Sequence, residues 1–286
     1  MTEHAYFGPG GNSREFYDKG YKETKAAPRF LSEIGLDAYE FEAGNGLTAG
    51  AATLAAIGKE AAANNIRMSF HTPYFISLSG VDPEKRLKSI VYIKQSLDAA
   101  ALLGAHTIVV HTGSAAKISR EEAMRLAADT LWKTLEEVGT PTAKIGLETM
   151  GKQNQLGTLD EVITLCKIDP RLVPVVDFGH MNARECGGVF VTADDYYRVF
   201  DKIGDALGDD VAKNLHCHFS RIEWTAAGEK RHLTFEDSVY GPDFEPLMEA
   251  LVRHGLTPTV ISESAGTQSG DALAMKQYYA KLRGTL

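Results

Sequence analysis

Cysteine is scarce in this chain: Cys166, Cys186 and Cys217 are the only three, odd in number and far apart. They suggest neither a disulfide framework nor a CxxC metal knuckle, so a reducing compartment is the expected setting. Long apolar runs are missing too. No stretch approaches the roughly 18 apolar residues of a membrane-crossing helix, so no membrane partner is expected. The opening MTEHAYFGPG lacks a basic segment followed by an apolar one, which argues against a signal peptide and for the cytoplasm. Positive charge is also short. Thirty Lys and Arg against 38 Asp and Glu leave a formal charge of −8, unfavourable for broad electrostatic binding to nucleic acid, although a local basic groove stays open. A dinucleotide fingerprint is absent as well: Gly8-Pro-Gly-Gly-Asn12 is glycine-rich without the GxGxxG spacing.

What the chain does have is regular alternation. Short β-rich runs fall at Ala5–Gly8, Ala38–Glu42, Met68–His71, Thr107–His111, Lys144–Glu148, Val173–Asp177, Asn214–His218 and Thr259–Glu263. Several are continuously apolar, as expected of parallel strands covered on both faces. Helical patterns lie between them. Ile90, Ile93, Leu97 and Ala101 share one face, with Gly104 placed to end that helix. Met124, Ala128, Leu131, Leu135 and Val138 form a second stripe. Ser119-x-x-Glu122 and Thr158-x-x-Glu161 have capping-box spacing. Eight strand–helix units in 286 residues give about 36 residues each, the period of an α/β (β/α)8 TIM barrel. The expectation is a single domain over 1–286, with a doubly wound open sheet as the main alternative.

The polar residues fall where such a barrel gathers its active site. Strand three ends in His71, strand four in His111, strand five in Glu148 and strand six in Asp177; strand seven carries His216 and His218, and strand eight ends in Glu263. In a parallel barrel all strand C-termini open on one face, so these side chains converge. Imidazole and carboxylate donors together suit zinc, with manganese or another divalent ion also compatible. His180 lies three residues past Asp177, within reach of a second ion, and His232 lies in the long segment after strand seven. Carboxylates such as Glu148 or Glu263 can bridge two metals that activate water and clamp a phosphate.

In order and approximate spacing, His71-Thr-Pro-Tyr74-Phe-Ile-Ser-Leu, Val110-His111-Thr-Gly-Ser, Leu147-Glu148-Thr-Met-Gly, Asp177-Phe-Gly-His180 and Glu263 resemble the endonuclease IV family, within the xylose isomerase-like TIM-barrel superfamily. That resemblance implies two or three zinc ions and hydrolysis of the DNA backbone 5′ to abasic sites by a monomer acting on double-stranded DNA. It implies that His71 and His111 hold one metal and that Glu148 bridges to the next. Asp177, His218 and Glu263 complete the second metal, and His180 and His232 belong to the third. Glu148 and Glu263 are the implied catalytic carboxylates, with Tyr74 beside the abasic sugar. His218 is preferred over His216 because His218-Phe-Ser matches the family's pattern.

Two departures stand out. The family has an aspartate two residues before its late histidine, and here that position is Lys230; Glu229 would have to shift register to replace it. An ammonium offers a metal no lone pair. The loop Glu42-Ala-Gly-Asn-Gly-Leu is neutral to acidic where the family contacts DNA. A sugar isomerase or epimerase on the same barrel is the competing expectation, with one metal on Glu148, Asp177, His218 (or His216) and Glu263.

Overall fold

In the computed structural model, which describes residues 4–284, the continuously apolar runs become neighbours in one parallel sheet. Its strands are β1 (Tyr6–Pro9), β2 (Ala38–Glu42), β3 (Arg67–His71), β4 (Thr107–His111), β5 (Lys144–Glu148), β6 (Leu172–Asp177), β7 (His216–Phe219) and β10 (Thr259–Ser262). The order is β1-β10-β7-β6-β5-β4-β3-β2. A bridge between Gly10 and Glu40, with Gly11 N–H donating to Glu40 O at 3.0 Å, brings β1 to β2 and closes the barrel. Helices ring the outside. Ile90, Ile93 and Leu97 of the helix Pro83–Leu103 are buried, whereas Ala101 faces solvent and Ala100 takes the inward place. Gly104 ends that helix in the left-handed conformation. Thr158 and Glu161 form a reciprocal capping box. Ser119 caps its helix too, but Glu122 pairs with Arg125 instead of reaching back.

Five strands differ from the expected limits by one or two residues, and two of these shifts have visible local reasons. Asn214 terminates the short helix Asp209–Lys213, so β7 starts at His216. Glu263 lies one residue beyond β10, although its N–H still donates to Phe219 O at 3.1 Å.

The long segment after strand seven that holds His232 forms an antiparallel hairpin, β8 (Ile222–Thr225) and β9 (Gly228–His232). It stands at the barrel mouth. Its ladder pairs Glu223 with Arg231 and Trp224 with Glu229, so Lys230 is the extra residue of a bulge. Among the described residues no helix is long and apolar enough to cross a membrane.

Candidate metal centre

Parallel register sets the depth of each donor. Glu42 is level with His71, His111 with Glu148, and Asp177 with His218. The side chains meet in five groups: three, at the mouth, are His71, His111 and Glu148; Glu148, Asp177, His218 and Glu263; and His180, Glu229 and His232, and two more gather at Glu40, one with His216 and His218 and one with Glu42 and Glu263. In each group the donor atoms lie within 4.8 Å of one another. Glu148 belongs to two groups and joins them. Its Oε2 is 3.1 Å from His111 Nε2 and 3.7 Å from His71 Nε2, while Oε1 is 3.0 Å from His218 Nδ1.

The third group forms around a helix start and a bulge. Asp177 caps the helix Phe178–Arg184, accepting from His180 N at 2.7 Å, and this turns the His180 ring toward the mouth. In an unbroken strand Glu229 and His232, three residues apart, would face opposite sides. The bulge at Lys230 resets the alternation and puts both against His180, with Glu229 Oε2 3.5 Å from His180 Nε2. Lys230 points away, its ammonium 2.5 Å from Glu223 Oε1. Gly151 makes room for this: a Cβ there would sit 2.6 Å from Glu229 Cβ. Glu229 thus brings a carboxylate beside His180 and His232 where Lys230 brings none.

Three of these histidines are anchored through Nδ1, although that of His180 also lies 3.4 Å from Asp177 Oδ2. His71 Nδ1 is 2.9 Å from Thr72 O and His180 Nδ1 is 3.0 Å from Thr149 O. A carbonyl only accepts, so in both rings Nδ1 carries the proton and Nε2 offers its lone pair to the centre. His232 Nδ1 is 2.8 Å from Ser220 Oγ. His218 is reversed: its Nδ1 faces Glu148 and Glu263, at 3.0 and 3.3 Å. His216 lies deeper, 2.9 Å from Glu40, outside the group that holds Asp177 and Glu263.

Electrostatics follow from burial and crowding. Burial pushes Glu148 up, but the imidazoles of His111, His218 and His71 crowded against it outweigh burial and hold the carboxylate well below its usual range. Burial lifts Glu263 well above that range despite the opposing pull of His218. Burial would lower His71, yet Glu42 and Glu148 keep its proton on to about 10; for His180 the opposing charges of Asp177 and Glu229 do so to about 9. Carboxylates therefore hold protons on these imidazoles that a cation would displace. Glu148 Oε2 and Asp177 Oδ2 are buried with no hydrogen-bond partner. Leaving such oxygens unpaired is costly. The donor set and these two oxygens fit divalent cations.

Above the donors lies a cavity of about 880 Å³ whose lining includes Glu42, Tyr74, Lys152, Gln155 and Gln268. Tyr74 is 54% exposed, stacks on His111 at 5.4 Å and meets His71 edge-on. Gly44 lets the loop after β2 lie against that ring, since a Cβ there would be 2.2 Å from Tyr74 Cε2. Glu40 and Glu42 were not among the expected donors, although Glu42 ends β2 as His71 ends β3. Both point inward from β2, and burial pushes Glu42 up to about 7. Their i, i+2 spacing in Ala38-Tyr-Glu-Phe-Glu42 was the available signal, the same that marks His216 and His218.

Known proteins give the centre a context. A protein from Methanocaldococcus jannaschii, named only as the uncharacterized protein MJ0133, is 30% identical over 216 residues, covering 75% of this chain and 77% of that protein. A "probable endonuclease 4" from Mycoplasma genitalium is 31% identical over 193 residues, 65% of this chain and 62% of that protein. A solved structure titled D-tagatose 3-epimerase-like protein superposes with a TM-score of 0.73 at 17% identity, over 98% of each chain. Endonuclease IV from Thermus thermophilus does so with 0.71 at 17% identity, over 96% of this chain and 99% of that one. These two likenesses share the barrel and differ in named activity. The family model described as "Xylose isomerase-like TIM barrel" matches residues 28–280, and the chain belongs to that family.

Proposed function

We propose that this chain is a metal-dependent phosphodiesterase of endonuclease IV type that hydrolyses the backbone of duplex DNA 5′ to abasic sites, using three divalent ions, zinc by preference. The observation that carries the reading is the presence of three adjoining donor groups with Glu148 shared between two of them. A sugar epimerase on one metal needs only Glu148, Asp177, His218 and Glu263. It leaves His71, His111, His180, Glu229 and His232 without a common task. Relatives named probable endonuclease 4 support the same choice.

Divalent ions held by these groups supply Lewis-acid activation of water and neutralise charge developing on a phosphodiester. The chain's own residues do the rest. His71, His111 and Glu148 line one part of the cavity, and His180, Glu229 and His232 the part that adjoins it. Glu263, 15% exposed at the floor of the cavity, has a carboxylate whose proton affinity burial has raised. It is placed to orient the attacking water and accept its proton. Tyr74, flat over His111, offers an apolar face to a sugar that carries no base.

One observation favours the epimerase: among the described residues Lys152 is the sole Lys or Arg lining the cavity, which Glu42 makes more acidic. Incubating metal-loaded protein with a duplex holding one abasic analogue, in parallel with ketohexose sugars, separates the two readings. Cleavage on the 5′ side is the expected result. An intact duplex together with sugar epimerisation would overturn the proposal.

A further inference from the structure

Beneath the metal centre lies a carboxylate that none of the three donor groups uses. Glu40, in the middle of β2, is fully buried. Its Oε2 accepts hydrogen bonds from Ser69 Oγ on β3 at 2.7 Å and His216 Nε2 on β7 at 2.9 Å. Its Oε1 is 2.8 Å from His218 Nε2. No hydrogen bond of ordinary geometry reaches either atom among the described residues, which leaves this short contact as the polar partner of both. A buried carboxylate oxygen without a donor is expensive, so this contact is the one that satisfies both atoms.

His71 and His180 are held through Nδ1 by backbone carbonyls, and His232 through Nδ1 by a hydroxyl. His218 alone among these four has a carboxylate at its outward nitrogen: Nε2 meets Glu40 Oε1, while Nδ1 lies 3.0 Å from Glu148 Oε1. We infer that Glu40 is a positioning residue: it takes the Nε2–H of His218, fixes that tautomer and presents the Nδ1 lone pair to the metal shared with Glu148, Asp177 and Glu263. This rests on the metal-centre part of the proposed function and not on the identity of the substrate. It gives His216 and Ser69 a role as well. By donating to Oε2 they orient the carboxylate, so that Oε1 is left for His218. Partners of this kind lock a ligand ring and raise its basicity.

The test compares Glu40→Leu, which removes the acceptor, with Glu40→Gln, which keeps one. Zinc affinity and the Co²⁺ ligand-field spectrum are measured site by site, with thermal melting of the metal-free forms as the check on folding. In Glu40→Leu, affinity at the Glu148–Asp177–His218–Glu263 site should fall about 10–100-fold and its Co²⁺ bands should shift. The His180–Glu229–His232 site should hold its metal, and Glu40→Gln should recover part of the loss. Wild-type affinity and spectrum in Glu40→Leu would overturn the inference. A second measurement does not depend on any variant folding. In ¹⁵N-labelled wild-type protein loaded with ¹¹³Cd, coupling should appear at His218 Nδ1, with a hydrogen-bonded proton on Nε2. Coupling at Nε2 would overturn the assignment and place a metal between Glu40, His216 and His218. A wild-type protein that binds metal but leaves abasic DNA intact would sink the nuclease reading and leave this one standing.

Discussion

Replacing Glu229 by alanine takes away one of three donors around His180 and His232, and replacing its neighbour Lys230 takes away none. The bulge in β9 makes the two substitutions diverge. A four-ligand zinc site is worth about 10–16 kcal/mol, or about 2.5–4 kcal/mol per ligand, which is about 10²–10³-fold in affinity. Glu229→Ala should therefore weaken the third metal by that factor and leave the other two in place. Lys230→Ala breaks only an ion pair at the surface, where Lys230 is 54% exposed, and Glu223 keeps Arg231 at 2.6 Å. Such pairs contribute about 0–1 kcal/mol, so melting temperature and metal content should hardly change. The assay is zinc per chain after dialysis against a series of chelator-buffered zinc concentrations. Full retention of the third zinc by Glu229→Ala, or its loss from Lys230→Ala, would refute the bulge as the device that replaces the missing aspartate.

Further outcomes follow from the same geometry. Apparent metal affinity should rise with pH toward 9–10, because His71 and His180 keep their protons to about 10 and 9 in the metal-free centre. Each bound proton that a metal must displace costs about tenfold per unit of falling pH, so an affinity that is flat from pH 6 to 9 would contradict the assignment. Glu263→Gln should lower turnover by about 10²–10⁴-fold with the fold retained; near-normal turnover removes Glu263 from the reaction. Tyr74→Ala should raise KM for abasic duplex and leave metal content and melting temperature unchanged, since the ring is 54% exposed. A large drop in melting temperature would make Tyr74 a structural cover for the barrel mouth.

The barrel and most of its donors were legible because four of the parallel strands, β3 to β6, end in a His, Glu or Asp, and closure brings those ends together. His71, His111, Glu148 and Asp177 are the last residues of their strands. Glu40 escaped notice because it sits in mid-strand between Tyr39 and Phe41, where an acidic residue interrupts the apolar pattern instead of ending it. The hairpin escaped for a different reason. Ile-Glu-Trp-Thr alternates but is only four residues long, and its partner Gly-Glu-Lys-Arg-His is charged and has no apolar side chain to alternate. A bulge depends on how two strands pair, so spacing along one strand cannot reveal it. The spacing of Lys230 from His232 pointed to a lost ligand, and the pairing with β8 supplied Glu229.

Anomalous diffraction at the zinc edge from crystals of the zinc-loaded protein tests the centre itself. Three peaks are expected: one at His71, His111 and Glu148, one at Glu148, Asp177, His218 and Glu263, and one at His180, Glu229 and His232. A single peak at the second position, with the other two groups bare at saturating zinc, would contradict the three-metal account and leave the one-metal epimerase in its place.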